Sequence, residues 1–403
     1  MYNFLETSEV AAKGSGVVCV RNGSENETYL RSGVSQFMYA KEANVKGKMR
    51  RKAELLLLAF VCITGTGFAQ QVFNVQNGSK AEFYDNLDTA LQRAAAGDTI
   101  YLPAGLCNTA ASSIIIDKPL AIIGIGGKID STSTALPTEF NKPITFTANA
   151  SGSLLTGCKI ANATASIYLG DSSAVQNISL IRNNFTNVNS YLIYIYDSSS
   201  NIFIRENTFI YGGGIAARNG SFSNNKVNYI GQCFIENNVF GGVVSVGFLK
   251  NSYINNNVFA SSVDFSNIAV SIEGYGIQGL VNNSVIQNNY FKLSLAHSGS
   301  NNTYNHNAFG EIVNFSGGVN NIGTNNLGNQ ALGDTFEDGT YIVKSNSPCK
   351  NAGTDGRDIG IYGGTFPYKS IPFNPHIGKR IISTQTDGDG NLRIDIKVEA
   401  QDR

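Results

Sequence analysis

Three charged residues at recurring positions of the sequence offer the groups that acid–base catalysis on a sugar needs. Arg205 and Glu206 are adjacent, and Glu236 lies in the stretch FIENNVF, which has close relatives elsewhere in the chain. A glycoside hydrolase needs two carboxylates at a defined separation, and Glu206 with Glu236 is the pair that this region offers. A polysaccharide lyase needs a base and a cation that neutralises a substrate carboxylate, which makes Arg205 the third candidate. A salt bridge between neighbouring strands explains the same residues, because most exposed ion pairs have no catalytic role.

The elements that position these residues are indicated by a repeat. An apolar residue, two variable residues, Asn, one variable residue and a second apolar residue recur from about residue 177 onward. A period near 20 residues is typical of one turn of a β-solenoid. Asn tolerates the backbone conformation of a tight corner, and stacked amides can hydrogen-bond from turn to turn. The sequence therefore predicts an Asn ladder formed by Asn183, Asn207, Asn225, Asn238, Asn257, Asn289, Asn307 and Asn325.

Counting back from this ladder identifies a second kind of site, one that binds without cleaving. The aromatic residues Phe203, Phe234 and Tyr253 stand four residues before a ladder Asn, where strand alternation turns them outward. The polar residues two before the ladder Asn stand beside them, and these are Arg205, Glu236 and Asn255. Aromatic rings flanked by amides and charges suit sugars, so these six residues are the carbohydrate-binding candidates. The alternative is that a long loop covers the aromatic residues.

Composition and leader sequence bear on the compartment. Thirty Lys and Arg balance thirty Asp and Glu in the 403 residues, so no global field favours nucleic acid. Residues 49–69 have basic residues, then an apolar run, then small residues, which predicts a signal peptide cleaved after Ala69 rather than a membrane-spanning helix. We expect a secreted, periplasmic or cell-surface protein if Met49 is the true start. Residues 1–48 are then a mis-called or disordered leader.

Two further stretches, together with the repeat, indicate a family. The chain opens its regular part with ALQRAAAGDTIYLPAG, whose start predicts a helix, and closes it with SPCKNAGTDGRDIGIYGG. With the NNVF-like units between them, residues 72 to 370 resemble the secreted right-handed parallel β-helix proteins of the pectate-lyase-like superfamily, in a bacterial branch. The polygalacturonase-like motifs Asn-Thr-Asp, Asp-Asp, Gly-His-Gly and Arg-Ile-Lys do not occur in the chain.

The resemblance implies an all-β fold: a right-handed parallel β-helix (solenoid) at residues 70–370 with an N-terminal helical cap. Residues 371–403 are expected to form a linker and a β-hairpin or strand appendage. The superfamily contains lyases, hydrolases and adhesins, so fold does not decide activity. We expect an exported protein that binds or modifies an extracellular polysaccharide along its exposed sheet face. A polysaccharide lyase or glycoside hydrolase acting on an acidic glycan, and a non-catalytic surface adhesin, are the alternatives.

Cofactors and covalent links are the remaining expectations. No metal site or cofactor is expected: Asp387-Gly388-Asp389-Gly390-Asn391 resembles the start of a Ca²⁺ loop but lacks its later ligand, which favours a hairpin turn. Two disulfides are possible among Cys107, Cys158, Cys233 and Cys349, although buried thiols are favoured. The expected partner is a polysaccharide, with no nucleic acid and no membrane span, and the expected state is a monomer.

Overall fold

The structure is a computed structural model that describes most of the chain beyond residue 70. The described residues are 11–13, 17–19, 71–126, 136–161, 167–186, 191–211, 214–218, 230–241, 244–245, 249–260, 263–264, 281–293, 299–312, 319–369, 376–383 and 385–399. Two compact units divide at residues 69 and 70. In the first unit, Ala11–Lys13 pairs antiparallel with Val17–Cys19. The predicted signal peptide at 49–69 lies outside the described residues, as does most of the predicted leader at 1–48.

Stacked parallel sheets, coiled in the manner of a solenoid, dominate the second unit. Successive strands visit three sheets in turn, here called sheets I, II and III, and each strand pairs in parallel with its equivalent one turn later. After an antiparallel start at Phe73–Asn77 and Lys80–Tyr84, the described strands of sheet I are Thr99–Tyr101, Ala121–Ile123, Leu154–Thr156, Gln176–Ile181, Ser200–Arg205, Ile230–Glu236, Leu249–Lys250, Tyr253–Asn255, Val281–Asn282, Val285–Gln287, Thr303–Asn305 and Ile322–Thr324.

Sheets II and III have shorter strands. Sheet II contains Gly105–Leu106, Thr138–Phe140, Lys159–Ile160, Asn184–Phe185, Thr208–Phe209, Val239–Phe240, Val258–Phe259, Tyr290–Phe291 and Ala308–Phe309. Sheet III contains Ile114–Ile116, Ile144–Phe146, Ile167–Leu169, Tyr191–Tyr196 and Gly214–Arg218. Val244–Ser245 and Val263–Asp264 form a separate parallel pair. Each turn of the coil, one strand from each sheet, is called a rung below.

A helix precedes the first rung. Helix α1 spans Leu87–Arg93, and the side chain of Asn86 caps it by accepting a hydrogen bond from the backbone N–H of Thr89. Leu87 and Ala90 are buried in the same core as the rungs. The helix predicted at the start of ALQRAAAGDTIYLPAG is therefore present, and it follows an antiparallel hairpin that the sequence did not predict.

The core forms because alternate strand residues point inward. Phe185, Phe209, Phe240, Phe259, Phe291 and Phe309 lie on sheet II and stack face to face along the coil, with ring centroids 4.6 to 5.1 Å apart. Ile202 and Ile204 of sheet I and Phe209 of sheet II are all buried. Ring stacking adds about 0.5 to 1.5 kcal/mol per pair to the burial of apolar area. The repeat therefore builds one continuous core.

The Asn residues of the repeat form a hydrogen-bonded column at the corner between sheets I and II. The backbone N–H and side-chain Nδ2 of Asn207 both donate to Oδ1 of Asn238, at 2.8 and 3.1 Å, and Nδ2 also donates to the backbone oxygen of Leu180. Asn238 bonds to Asn257 in the same way. The column runs from Asn183 through Asn207, Asn238, Asn257, Asn289 and Asn307 to Asn326.

Two residues of the predicted ladder are absent from the described part of the column. Asn225 lies outside the described residues. Asn325 is not in the ladder: the acceptor for Asn307 is Oδ1 of Asn326, whereas Asn325 is exposed and has a φ of 52°. The prediction was wrong by one residue because the two adjacent Asn differ in role. Asn325 has the left-handed backbone of the corner, and Asn326 stacks in the ladder.

The left-handed backbone of the corner belongs to the residue before the ladder Asn. Left-handed residues with φ from 50° to 60° occur in pairs five residues apart, at each end of a sheet I segment. The described pairs are Asn177 and Arg182, Asn201 and Glu206, Gln232 and Asn237, Asn251 and Asn256, Asn283 and Asn288, Asn301 and His306, and Asn320 and Asn325. Ten of these fourteen are Asn, the non-glycine residue that adopts this conformation most readily.

Gln232 is an exposed exception in this set, with a φ of 52°. We expect Gln232→Asn to raise the free energy of unfolding by about 1 kcal/mol, because Asn adopts the left-handed region at lower cost. Urea denaturation followed by circular dichroism measures the change. Gln287→Asn is the matched control, since Gln287 lies in an extended strand. An equal gain in both variants would contradict the explanation.

A second polar column, missed from sequence, lies at the opposite end of the same sheet I segments. The backbone N–H of Ser252 donates to Oγ of Ser284, Ser284 to Oδ1 of Asn302, and Asn302 to Oδ1 of Asn321, at 2.9 to 3.0 Å. Earlier rungs have Ile178, Ile202 and Cys233 at this position. The column is hard to recognise in the sequence because apolar and polar residues share its position. Its signal is an Asn-Ser or Asn-Asn dipeptide that begins five residues before the left-handed corner residues Asn256, Asn288, His306 and Asn325.

The four described cysteines from residue 107 to residue 349 are buried thiols and form no disulfide bonds. Cys107, Cys158, Cys233 and Cys349 are buried and unpaired. Cys158 occupies the ladder position one rung before Asn183, and its backbone N–H donates to Oδ1 of Asn183 at 3.1 Å. Burial raises the pKa of Cys107 and of Cys233 to about 12.

These raised pKa values set a pH dependence. Below about pH 9 the thiols keep their protons in both the folded and unfolded states, so they do not lower the free energy of unfolding. Between about pH 9 and 12 only the unfolded state releases them, and the free energy of unfolding falls by about 1.4 kcal/mol per pH unit for each thiol. Urea denaturation across this range measures the slope. Cys107→Ala and Cys233→Ala should each reduce it, and an unchanged slope would show that other groups cause the loss.

The chain after the last rung turns back over the coil. The sheet I strand Ile322–Thr324 ends the regular rungs, and residues 329 to 369, called the return segment, include helix α2 at Leu332–Thr335. Phe336, Ile359 and Ile361 of this segment pack on Val239 and Val258, outward residues of sheet II. The sequence assigned residues up to 370 to the coil, but the last part of that range covers sheet II instead of adding rungs. Farther on, His376–Ile382 and Ile394–Glu399 form an antiparallel hairpin.

Candidate functional site

The outward face of sheet I brings the predicted site residues together in columns. In the centre column, Phe203 pairs with Phe234 and Phe234 with Tyr253, followed by Val285, Thr303 and Ile322. In the right column, beside the Asn ladder corner, Arg205 pairs with Glu236 and Glu236 with Asn255, followed by Gln287, Asn305 and Thr324. All six predicted carbohydrate-binding residues therefore lie on three consecutive described rungs of one face.

The three aromatic side chains stack on one another. Ring centroids are 4.8 Å apart for Phe203 and Phe234 and 5.6 Å apart for Phe234 and Tyr253, with interplanar angles of 9° and 2°. Stacking occupies both faces of the Phe234 ring and one face each of the Phe203 and Tyr253 rings. Tyr253 is the last aromatic residue of the row, and it is 44% exposed. Since the next residue in the column is Val285, the second face of the Tyr253 ring has no aromatic neighbour there.

Arg205 is engaged on several sides. Its Nη2 lies 2.6 Å from Oε2 of Glu236, and both side chains are about 15% exposed. The guanidinium carbon lies 3.9 Å from the ring centroid of Phe366 in the return segment and 5.9 Å from that of Phe203. A guanidinium that is paired with a carboxylate and covered by a ring is poorly placed to neutralise a substrate carboxylate.

Glu206 is also bound within the protein. Its Oε2 lies 2.8 Å from Nε of Arg182, where the two side chains are 5% and 8% exposed, and it accepts a hydrogen bond from the backbone N–H of Lys369 at 3.3 Å. Glu206 has a left-handed backbone at the corner, whereas Glu236 points outward from a strand. The two carboxylates of the candidate glycosidase pair thus differ in position, and each is engaged by a different arginine.

The return segment is held by the left-handed residues of the corner. Nδ2 of Asn237 donates to the backbone oxygens of Ile361 and Gly363, and Nδ2 of Asn256 donates to that of Gly360. Asn288 bonds through both side-chain atoms to Thr354. The motif SPCKNAGTDGRDIGIYGG, which the sequence placed at the end of the coil, therefore belongs to a segment that is bonded to three corner residues.

Beyond Glu236, the face of sheet I changes character. The right column continues as Asn255, Gln287, Asn305 and Thr324, and no charged residue stands in it. A left column of exposed, left-handed Asn lies on the other side of the centre column: Nδ2 of Asn301 donates to Oδ1 of Asn283, and Nδ2 of Asn320 to Oδ1 of Asn301. The sequence analysis missed this left column. Its signal is the Asn that stands two residues before Tyr253, Val285, Thr303 and Ile322.

The left, centre and right columns over the rungs of Tyr253, Val285, Thr303 and Ile322 form one surface, which we call the uncharged strip. In its right column, Oδ1 of Asn255 accepts from Nδ2 of Asn288, and Oδ1 of Asn305 accepts from the hydroxyl of Thr324. The Nδ2 groups of Asn255 and Asn305 have no partner among the described residues. The strip therefore combines an apolar centre with amide donors and acceptors on both sides.

Metal ligation has little support in the described part of the chain. No group of three or more His, Cys, Asp or Glu side chains there is arranged to hold a metal ion. In the calcium-like stretch, Oδ1 of Asp387 accepts from the backbone N–H groups of Asn391 and Asp389, bonds that lower the pKa of this carboxyl group. Residues 387–391 lie in the connection between the two strands of the terminal hairpin, where the sequence favoured a turn over a Ca²⁺ loop.

Comparison with known proteins gives no family. No protein-family model matches this chain, and no curated protein sequence matches it. None of the helices in the described part of the chain combines the length and the apolar character that crossing a membrane requires.

Proposed function

We propose that this chain is an exported protein that binds an extracellular polysaccharide along the outward face of sheet I and does not cleave it. We propose further that its coil is a right-handed parallel β-helix of the pectate-lyase-like kind. Export rests on the basic and apolar pattern of residues 49–69, and the β-helix rests on the order of the three sheets and on the quoted motifs.

The observation that carries the binding proposal is the outward row Phe203–Phe234–Tyr253, which continues into the uncharged strip. A row of rings flanked by amides is suited to sugars, whose C–H faces pack on apolar groups while their hydroxyls exchange hydrogen bonds with amides. The row runs along the coil, so a chain-like ligand can contact several rungs at once. A polymer therefore fits this face better than a small molecule does.

Binding without cleavage is supported by the state of the charged candidates. Arg205 is paired with Glu236 and covered by Phe366, and Glu206 is paired with Arg182. A lyase or a hydrolase needs these groups to meet the substrate, and both would first have to leave ion pairs that are mostly buried. The enzyme alternative thus needs a rearrangement that the binding proposal does not.

The experiment is a polysaccharide array probed with the full chain and read for two signals. We expect retention on some glycans, with no new reducing ends and no absorbance from unsaturated uronates. Release of either product, lost in Glu206→Gln or Arg205→Gln, would replace this proposal with the enzyme alternative. Silence on every glycan would instead favour the surface adhesin or structural alternative, which needs no glycan.

A further inference from the structure

The end of the aromatic row forms a step in the face of sheet I. Phe203, Phe234 and Tyr253 fill the centre column on three consecutive rungs, and the smaller Val285 and Thr303 follow on the next two. Successive strands of a sheet are about 4.7 to 4.9 Å apart, close to the stacking distance of flat rings. A ring-shaped ligand above Val285 would therefore stand at the next place in the existing stack.

The Tyr253 ring is well suited to start such a stack. Phe234 packs on one face at 5.6 Å, which fixes the orientation of the ring before any ligand arrives. The opposite face points toward the rung of Val285, and the side chain is 44% exposed. A fixed ring binds at a lower entropy cost than a mobile one, because its rotamer is already set.

The polar side chains in the two columns that flank the step are neutral amides, and the exposed Lys250 lies beyond the left column, directly before Asn251. Gln287 and Asn305 stand on one side, and the bonded amides of Asn283 and Asn301 on the other. Amides donate to and accept from hydroxyl groups but cannot offset the charge of a carboxylate. Arg205 is the nearest arginine in the right column. It lies two rungs before Tyr253 and is paired with Glu236. A polyuronate ring above Val285 would meet amides, and no cation, in the columns on either side, so its carboxylate would lose water without gaining a charged partner from them.

We propose that the uncharged strip is a binding site for a neutral polysaccharide, with one sugar ring stacked on the open face of Tyr253 above Val285. This proposal rests on the polysaccharide-binding function and adds the class of glycan and the position of the first ring. In this proposal the glycan does not touch the part of the sheet I face that contains Arg205 and Glu236.

The test is affinity gel electrophoresis of the full chain in gels that contain one polymer each. Galactomannan, xyloglucan and arabinoxylan are the neutral probes, and polygalacturonate and alginate are the polyuronates. We expect retardation by at least one neutral polymer, little change with added salt, and no retardation by the polyuronates. Tyr253→Ala should weaken neutral binding by about tenfold, whereas Tyr253→Phe should keep it.

Tyr168→Ala is the matched control, because Tyr168 belongs to an outward stacked pair on sheet III. Circular dichroism and the melting temperature establish that each variant is folded. Retardation by polyuronates alone would overturn the neutral-glycan inference and leave the polysaccharide-binding function standing. Equal losses in Tyr253→Ala and Tyr168→Ala, or none in Tyr253→Ala, would overturn the assigned position. Silence with all polymers, here and on the array, would remove the binding function itself.

Discussion

Asn257→Ala is expected to lower the free energy of unfolding by about 4 kcal/mol, because it leaves several buried groups without partners. Oδ1 of Asn257 accepts from both the backbone N–H and Nδ2 of Asn238, each at 2.9 Å. Its Nδ2 donates to the backbone oxygen of Ile235 and to Oδ1 of Asn289. Urea denaturation followed by circular dichroism measures the loss.

Gln287→Ala is the control for this substitution, since it also removes an amide from sheet I, but from the outward, half-exposed position. We expect it to change the free energy of unfolding by less than about 1 kcal/mol. Similar losses in the two variants would mean that the Asn ladder contributes no more than an outward amide does, and the structural explanation of the repeat would be wrong.

Glu206→Gln is expected to lower the free energy of unfolding by about 3 kcal/mol, because it removes the carboxylate that pairs with Arg182 in a mostly buried site. The Arg182 side chain is 8% exposed and lies 2.8 Å from the Glu206 carboxylate. The same carboxylate accepts the backbone N–H of Lys369, so its loss should also loosen the end of the return segment. Urea denaturation measures the first effect, and the rate of trypsin cleavage in the return segment measures the second.

The double variant Arg182→Asn with Glu206→Asn separates charge from packing. Both positions have left-handed backbones, and later rungs have Asn237, Asn256 and Asn288 in the same place. Removing both charges leaves neither one unpaired, so we expect this variant to recover most of the stability lost in Glu206→Gln. If Glu206→Gln leaves stability and cleavage rate unchanged, the ion pair does not hold this corner, and a role for Glu206 in chemistry regains support.

The coil was predictable from the sequence because the ladder position, apart from Cys158 at its start, is Asn from one described turn to the next. A position that must both accept and donate to its equivalents allows little besides Asn, so Asn183 through Asn307 stand out by spacing alone. The assignment failed at Asn325 because the left-handed residue and the ladder residue are both Asn in that rung. Local sequence cannot tell two adjacent Asn apart.

The site was harder to predict because its features come from contacts between distant segments. Arg205 was a catalytic candidate from its type and position, but its cover is Phe366 in the return segment. No periodic pattern connects Phe366 with Arg205. The outward row Phe203, Phe234 and Tyr253 was predictable from strand alternation, whereas the mutual stacking of the rings, which leaves one face open at Tyr253, required the register between rungs.

We propose that a polysaccharide binds to the outward face of sheet I beyond the aromatic row. The most direct measurement is a crystal structure of the full chain with an oligosaccharide of the polymer that retards it most. We expect a sugar ring stacked on Tyr253 above Val285, with hydroxyls bonded to the amide of Gln287, and the ion pair of Arg205 with Glu236 intact. A ligand bonded to Arg205 or Glu206 with that pair broken, or seated on Tyr168 and Tyr194 of sheet III, would contradict the claim.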